Sequence, residues 1–104
     1  MSNSFQVRKY VQKLLNDSPV FILSATYCPY CKQAKQFLKK LDIKYKSIEF
    51  DKDPNGEDIA DEIERRTKDD SVPAIFIRGK YIGGLEELED LVKRTRSKNH
   101  FYKK

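Results

Sequence analysis

Apolar residues in the first half of the chain recur at spacings that predict a helix, a strand and a second helix. Over residues 5–15 they fall at three- and four-residue intervals, which predicts an amphipathic helix that ends at the polar, proline-containing residues 16–19. Residues 20–23 form a continuous apolar run with β-branched members, typical of a central strand in a parallel sheet. Residues 29–41 return to helical spacing, so this strand leads almost directly into a helix.

The second half of the chain predicts three more strands and two more helices. Residues 43–50 alternate apolar and polar side chains, which indicates an edge strand, and a turn at 53–56 precedes a charged helix. Residues 71–77 predict a strand opened by a proline, residues 81–82 a short antiparallel partner, and residues 85–92 a last helix. The order α-β-α-β-α-β-β-α therefore predicts an α/β fold: a four-stranded mixed sheet with helices on both faces.

The length and charge of the chain indicate how many domains it has and which kinds of partner it binds. One hundred and four residues suit a single domain over 1–104, with a core over about residues 5–95 and a basic tail over 96–104. Much of the basic charge behind the formal net charge of +5 lies on the second helix and the tail. The tail has no base-stacking or groove-reading pattern, so we predict no nucleic-acid partner. A basic surface beside the second helix is instead expected to attract an anionic substrate.

Two features of the sequence bear on where the protein works. The N-terminal residues are polar with no apolar segment behind them, and no apolar run approaches the ~20 residues of a membrane span. Both cysteines of the chain lie in one short motif, which suits a reducing compartment where a disulfide is transient. We therefore predict no membrane association and a cytoplasmic location, with the nucleus as the alternative.

The two cysteines lie at the junction of the first strand and the second helix, in the run Cys28-Pro29-Tyr30-Cys31. Proline suits the first helical position because its φ is preset and its missing N–H is not needed there, so Cys28 is the predicted N-cap. Free N–H groups and the helix dipole favour a thiolate at an N-cap, which makes Cys28 the predicted nucleophile. Cys31 lies one turn further on the same face and is the predicted resolving thiol.

Less reactive roles for this cysteine pair are disfavoured. A structural disulfide across three residues closes a very small loop and removes little chain entropy. A zinc site needs about four ligands, and the chain adds only His100 to the two cysteines. Two buried, unreactive cysteines do not account for a proline between them at a strand–helix junction. Metal-free redox chemistry is therefore the predicted use, and Lys32 and Lys35 on the same helix are candidates for supporting the thiolate.

Together with two further segments, this motif makes the chain resemble the glutaredoxins, small members of the thioredoxin superfamily. The family's Cys-Pro-Tyr-Cys turn is present at residues 28–31, its Thr-Val-Pro turn nearly so at Ser71-Val72-Pro73, and its Gly-Gly signature at residues 83–84. The resemblance covers roughly residues 20–91 and implies a thioredoxin-like fold. It also implies a redox-active Cys28–Cys31 pair that uses glutathione and serves electron transport and cell redox homeostasis.

The resemblance further implies where glutathione, the predicted co-substrate, binds. It implies a cis peptide before Pro73 that faces Cys28 across a crevice, with the Val72 backbone pairing with the cysteinyl part of glutathione. The γ-glutamyl end is expected at the N-terminus of the last helix, where backbone donors suit its carboxylate. The residues assigned to this site are Thr26, Tyr30, Arg65, Val72, Pro73, Gly84 and Glu86.

The chain departs from the family pattern at positions that carry charge. Glutaredoxins usually have Lys three positions before the nucleophile, where this chain has Ala25, and Asp70 occupies a position that is often Arg. Residues 86–87 are both Glu, where Ser, Thr or Asp followed by Asp is usual. Because a charge-assisted hydrogen bond contributes about 1.5–3 kcal/mol, losing one or two weakens glutathione binding about ten- to a few-hundredfold. A basic residue near the end of the third helix is expected to compensate: Arg65, Arg66 or Lys68.

The sequence thus predicts a monomeric dithiol enzyme with no tightly bound cofactor. Cys28 alone reduces protein–glutathione mixed disulfides, and Cys28 with Cys31 reduces protein disulfides. The predicted partners are glutathione and glutathionylated or disulfide-containing proteins. Two alternatives stay open: a protein-disulfide reductase that uses glutathione weakly, and a dimer that holds an iron–sulfur cluster through Cys28 and two glutathiones. Proline after the nucleophile stiffens the turn and disfavours the cluster.

Overall fold

Four helices and four strands make up residues 4–95, the part of the chain that the computed structural model describes; the predicted basic tail at 96–104 lies outside the described residues. The predicted order of elements is confirmed. The helices are α1 (Ser4–Asp17), α2 (Pro29–Lys40), α3 (Gly56–Thr67) and α4 (Leu85–Thr95). The strands are β1 (Val20–Ser24), β2 (Lys46–Glu49), β3 (Ala74–Ile77) and β4 (Lys80–Gly83).

The four strands form one mixed sheet in the order β2-β1-β3-β4. β1 pairs parallel with β2 and antiparallel with β3, and β4 lies antiparallel to β3 at the far edge. Every residue of β1 is buried because helices cover both of its faces, which explains the continuous apolar run in the sequence. β2 lies at the other edge of the sheet, as its alternating pattern predicts.

Two apolar cores lie on opposite faces of the sheet. On one face, Phe21 of β1 belongs to a cluster with α1 and with Ile59 of α3. On the other face, Ile22 belongs to a cluster with Leu38 of α2 and Leu88 of α4. Successive side chains of a strand point to opposite faces, so β1 anchors both cores. The residues that follow its C-terminal end, including the cysteine motif, therefore continue directly from the buried centre of the fold.

The strand predicted over residues 43–50 is shorter in the structure because its first residues close the preceding helix. The N–H of Ile43 donates to the carbonyl of Leu38 at 2.9 Å, so the chain joins the sheet only at Lys46. At the other end, the N–H of Phe50 still donates to the carbonyl of Ser24 at 2.9 Å, but the backbone turns away there. Alternating polarity alone did not separate these flanking residues from the strand.

Two further findings limit the chemistry of the described residues. Between residues 4 and 95, none of the helices is both long and apolar enough to pass through a membrane. The same part of the chain brings no three His, Cys, Asp or Glu side chains together in a way that would hold a metal ion. His100, the single histidine of the sequence, lies outside it.

Candidate active site

Cys28 lies where β1 leads into α2, and its side chain caps that helix. Its backbone is extended (φ −96°, ψ 111°), and Pro29 follows at the first helical position. Its Sγ accepts a hydrogen bond from the N–H of Cys31 at 3.1 Å. The predicted N-cap is therefore present. An N–H aimed at the sulfur and the positive end of the helix dipole both favour negative charge at this position.

The backbone of residues 72–73 faces Cys28 from the other side. The peptide between Val72 and Pro73 is cis, as the resemblance implies. The thiol of Cys28 donates to the carbonyl oxygen of Val72, with 3.7 Å between sulfur and oxygen. Only 6% of Cys28 is exposed, so its sulfur meets a substrate within the crevice rather than projecting from the surface.

Cys31 is fully buried one turn into α2. Burial, the largest cause, and the hydrogen bond to Cys28 together raise the pKa of its thiol to about 11, against the opposite effect of hydrogen bonds involving Ser24 and Ala25. Cys31 is therefore a protonated thiol at neutral pH. Both cysteines are free thiols in this structure.

One of the lysines expected to support the thiolate, Lys35, belongs to a polar network with Ser24 and Glu49. The hydroxyl of Ser24 donates to one carboxylate oxygen of Glu49 at 3.0 Å, and the other oxygen forms an ion pair with Lys35. The charge of Lys35 is therefore compensated by Glu49 rather than presented to the sulfur. Lys32, the other candidate, has an exposed side chain.

A groove of about 800 Å³ opens beside the cis peptide and extends along the start of α4; we call it the α4 groove. Its volume lies in the range of about 300–1,000 Å³ that is usual for small-molecule sites. Because the Val72 carbonyl also contacts Cys28, Val72 links the groove to the Cys28 sulfur. Five residues predicted to contact glutathione line it: Tyr30, Val72, Pro73, Gly84 and Glu86.

Known proteins are similar to this chain in sequence. The family model described as Glutaredoxin matches residues 20–82. Glutaredoxin-1 of Rhizophagus irregularis is 40% identical over 83 residues, which cover 80% of this chain and 82% of that protein. Glutaredoxin-2 of Schizosaccharomyces pombe is 40% identical over 84 residues, which cover 81% of this chain and 76% of that protein. The chain belongs to the glutaredoxin family.

A solved structure extends this relationship to the fold. The crystal structure of a buckwheat glutaredoxin–glutathione complex matches this glutaredoxin with a TM-score of 0.82 at 30% identity, covering 89% of this chain and 84% of that one. The predicted thioredoxin-like fold is confirmed. As a member of its family, this glutaredoxin is a thiol–disulfide oxidoreductase, and Cys28 and Cys31 supply the family's two-cysteine motif.

Two residues assigned to glutathione binding have other partners in this glutaredoxin. The N–H of Thr26 donates to Asp51 at 3.0 Å, and the Thr26 hydroxyl donates to the other carboxylate oxygen. These bonds lower the pKa of Asp51. Arg65 forms a two-pronged ion pair with Glu62, at 2.9 and 2.7 Å. Arg65 is not among the residues that line the α4 groove, so the structure does not place it as the compensating cation.

Sequence reasoning missed the partners of two acidic residues in the groove. Glu87 accepts the N–H of Gly84 at 2.8 Å. In a capping box, the glutamate at the third helical position accepts the N–H of the N-cap residue in this way. The three-residue spacing between Gly84 and Glu87 was the sequence feature that could have predicted this bond. Asp69 accepts from the N–H and hydroxyl of Ser71, at 2.9 and 2.6 Å, and from the Tyr81 hydroxyl at 3.2 Å. The bonds from Ser71 are the main reason that the pKa of Asp69 is lowered.

Proposed function

We propose that this glutaredoxin reduces protein–glutathione mixed disulfides and protein disulfides, with glutathione as the electron donor. One observation carries the proposal: the Cys28 thiol lies between the N–H of Cys31 and the carbonyl of Val72, and Val72 also lines a groove of ligand size. The buckwheat relative is described in complex with glutathione, which supports the same co-substrate here.

In the first route only Cys28 reacts. Its thiolate attacks the glutathione sulfur of the mixed disulfide, the protein sulfur leaves as a thiolate and takes up a proton, and glutathione stays on Cys28. A second glutathione thiolate attacks that glutathione, which forms oxidised glutathione and restores the Cys28 thiolate. The N–H of Cys31, 3.1 Å from the Cys28 sulfur, stabilises the charge that develops on it as it leaves.

In the second route both cysteines react. Cys28 attacks one sulfur of a protein disulfide and frees the other as a thiolate. Cys31 then loses its proton and attacks the Cys28 sulfur, which releases the second protein thiol and leaves a Cys28–Cys31 disulfide. Two glutathiones reduce this disulfide and leave as one oxidised glutathione. Because burial raises the pKa of Cys31, its deprotonation is the step that we expect to limit this route.

A protein-disulfide reductase with weak glutathione use is the second candidate, and Glu87 favours it. Its carboxylate occupies the N–H of Gly84, a helix N-terminal donor of the kind that suits the carboxylate of a ligand. Ala25 adds no cation beside the nucleophile, and Arg65 is paired with Glu62. Glutathione, which is anionic, then binds with fewer charge-assisted hydrogen bonds.

The test is glutathione-dependent reduction of a small mixed disulfide, coupled to glutathione reductase. We expect turnover by the native chain and by Cys31→Ser, and none by Cys28→Ser. In the same assay with a disulfide-bonded protein, only the native chain should turn over. Loss of activity in Cys31→Ser but not in Cys28→Ser would contradict the assignment of the nucleophile.

The same experiments separate the alternatives. Efficient reduction of the protein disulfide with little reduction of the small mixed disulfide would favour the second candidate. Protein purified without oxygen should be colourless and monomeric, and an absorbance band that follows a dimer would instead favour the cluster-binding alternative.

A further inference from the structure

The α4 groove is acidic, although the chain carries a formal net charge of +5. Among the described residues that line it, none is lysine or arginine, and four are carboxylates: Asp69, Glu86, Glu87 and Glu89. The lysines of α2, expected to form a basic surface beside the thiol, do not contribute to this lining. On this side of Cys28 the charge therefore attracts cationic ligands more strongly than anionic ones.

Two of the four carboxylates accept hydrogen bonds inside the groove. Asp69 accepts three hydrogen bonds, from Ser71 and Tyr81, and its pKa is lowered, so it is ionised at neutral pH. Glu87 accepts the N–H of Gly84. All of these donors are neutral groups, and a hydrogen bond from a neutral donor favours the charged form of a carboxylate without cancelling it.

The other two carboxylates have no side-chain partner among the described residues. Glu86 and Glu89 lie three residues apart on one face of α4, and within residues 4–95 neither forms a side-chain hydrogen bond or an ion pair. Glu86 is exposed and Glu89 is half-buried. Like charges gathered in a cleft raise the local concentration of ligands with the opposite charge.

We infer that the α4 groove selects protein disulfides whose cysteine is flanked by lysine or arginine. The inference rests on the proposed function and specifies which protein disulfides that activity serves. Val72 belongs both to the groove lining and to the contact with Cys28, so the groove is within reach of a polypeptide whose sulfur reacts at Cys28. There Glu86 and Glu89 offer free carboxylates to its cationic side chains.

Reduction rates of three matched peptides test this inference. The peptides share one intramolecular disulfide and differ only in flanking residues, which are lysine, serine or glutamate. At low salt we expect kcat/KM for the lysine peptide to exceed that for the glutamate peptide about tenfold, with the serine peptide between them. Raising the salt concentration should bring the three values together, because the Debye length shortens from about 10 Å at 0.1 M to about 3 Å at 1 M.

Variants locate the source of the preference. Glu86→Gln and Glu89→Gln should each lower the ratio of lysine-peptide to glutamate-peptide kcat/KM by about two- to fivefold, and Glu89→Lys should lower it further. Glu57→Gln is the matched control, because Glu57 is an exposed carboxylate on α3 outside the groove lining. It should keep the native ratio. An equal fall in Glu57→Gln would show that net charge, not the groove, sets the preference and would overturn the inference.

Binding without chemistry separates this inference from the proposed function. Labelled peptides with serine in place of both cysteines should bind the native protein in the order lysine, serine, glutamate flanks, as measured by fluorescence anisotropy at low salt. Equal binding and equal kcat/KM for all three peptides would overturn the inference and leave the proposed function intact. Ordered binding with no reduction of any disulfide, the small mixed disulfide included, would support the inference and overturn the proposed function.

Discussion

The carboxylate of Glu87 lies 2.8 Å from the backbone nitrogen of Gly84 and accepts its hydrogen bond. Gly84 immediately precedes α4, so this N–H is one of the free donors at the start of that helix. An acidic side chain there satisfies the donor and interacts favourably with the helix dipole. It also occupies a position where the carboxylate of an anionic ligand could otherwise bind.

Replacing Glu87 with alanine should improve glutathione use. With the Gly84 N–H free, we expect the apparent KM for glutathione to fall about tenfold, which corresponds to roughly 1.4 kcal/mol and is the lower end for a charge-assisted hydrogen bond. Loss of the cap should also lower the free energy of unfolding by about 0.5–2 kcal/mol. Glu89→Ala is the control, because it removes a charge from the same groove without freeing the donor. An equal KM for glutathione in both variants would show that the hydrogen bond between Gly84 and Glu87 does not limit glutathione use.

A lysine at position 25 should supply the cation that the family usually has there. Ala25 is 1% exposed and packs with Cys28 and Phe50, so a longer side chain should cost about 1–3 kcal/mol of stability. A lysine stem can run along this apolar contact and bring its ammonium to the surface. We therefore expect Ala25→Lys and Ala25→Met to melt at similarly reduced temperatures, but only Ala25→Lys to lower the KM for glutathione. A similar KM in both variants would contradict this.

The dithiol route should depend on pH through Cys31. Burial is the main reason that its pKa is raised to about 11, so its thiolate fraction rises about tenfold per pH unit across the neutral range. We expect the resolution of a mixed disulfide on Cys28, followed by stopped-flow, to accelerate nearly tenfold per unit between pH 7 and pH 9. The rate of deglutathionylation by Cys31→Ser should not show this increase with pH, because that route does not use Cys31. A rate that levels off below pH 8 would rule out Cys31 deprotonation as the limiting step.

Glu62 should contribute a pH-dependent part of the stability. This buried carboxylate accepts hydrogen bonds from Arg65 and Arg66, and Arg66 also reaches Gln12 on α1. Its pKa is lowered from 4.5 to about 2, with the bond from Arg65 as the largest cause. The unfolded chain therefore takes up a proton on this group before the folded chain does. The resulting stabilisation is complete above about pH 5 and disappears as the pH falls towards 2.

Urea unfolding at pH 7 and pH 3 measures this effect. Between pH 7 and pH 3 the native protein should lose free energy of unfolding, and we expect about 2 kcal/mol of this loss to come from Glu62. The free energy of unfolding of Glu62→Gln should fall by correspondingly less. The exposed neighbour Glu64 provides the control, because Glu64→Gln should follow the native protein. A native-like loss in Glu62→Gln would show that the ion pair does not stabilise the fold.

Local sequence determined the helices and strands of this glutaredoxin and the position of its two cysteines at the start of α2. The apolar run of β1 requires burial on both faces, and the structure shows it buried at the centre of the sheet. Pro29 at the first helical position fixes Cys28 as the N-cap and places Cys31 one turn inside. These features depend on neighbours along the chain, through backbone angles, helix periodicity and capping, so they can be inferred from the sequence without the fold.

Side-chain partners were decided by the tertiary structure. Lys35 is paired with Glu49 because β2 lies beside β1, and the sequence has many other acids that the lysine could have met. Glu89 lines the same groove as Asp69 only because β4 and the cis peptide bring the start of α4 next to residues 69–73. Coulomb energy depends on the distance and solvent exposure of the final fold. The sequence therefore predicts the nucleophile, whereas only the tertiary structure shows that its groove is acidic.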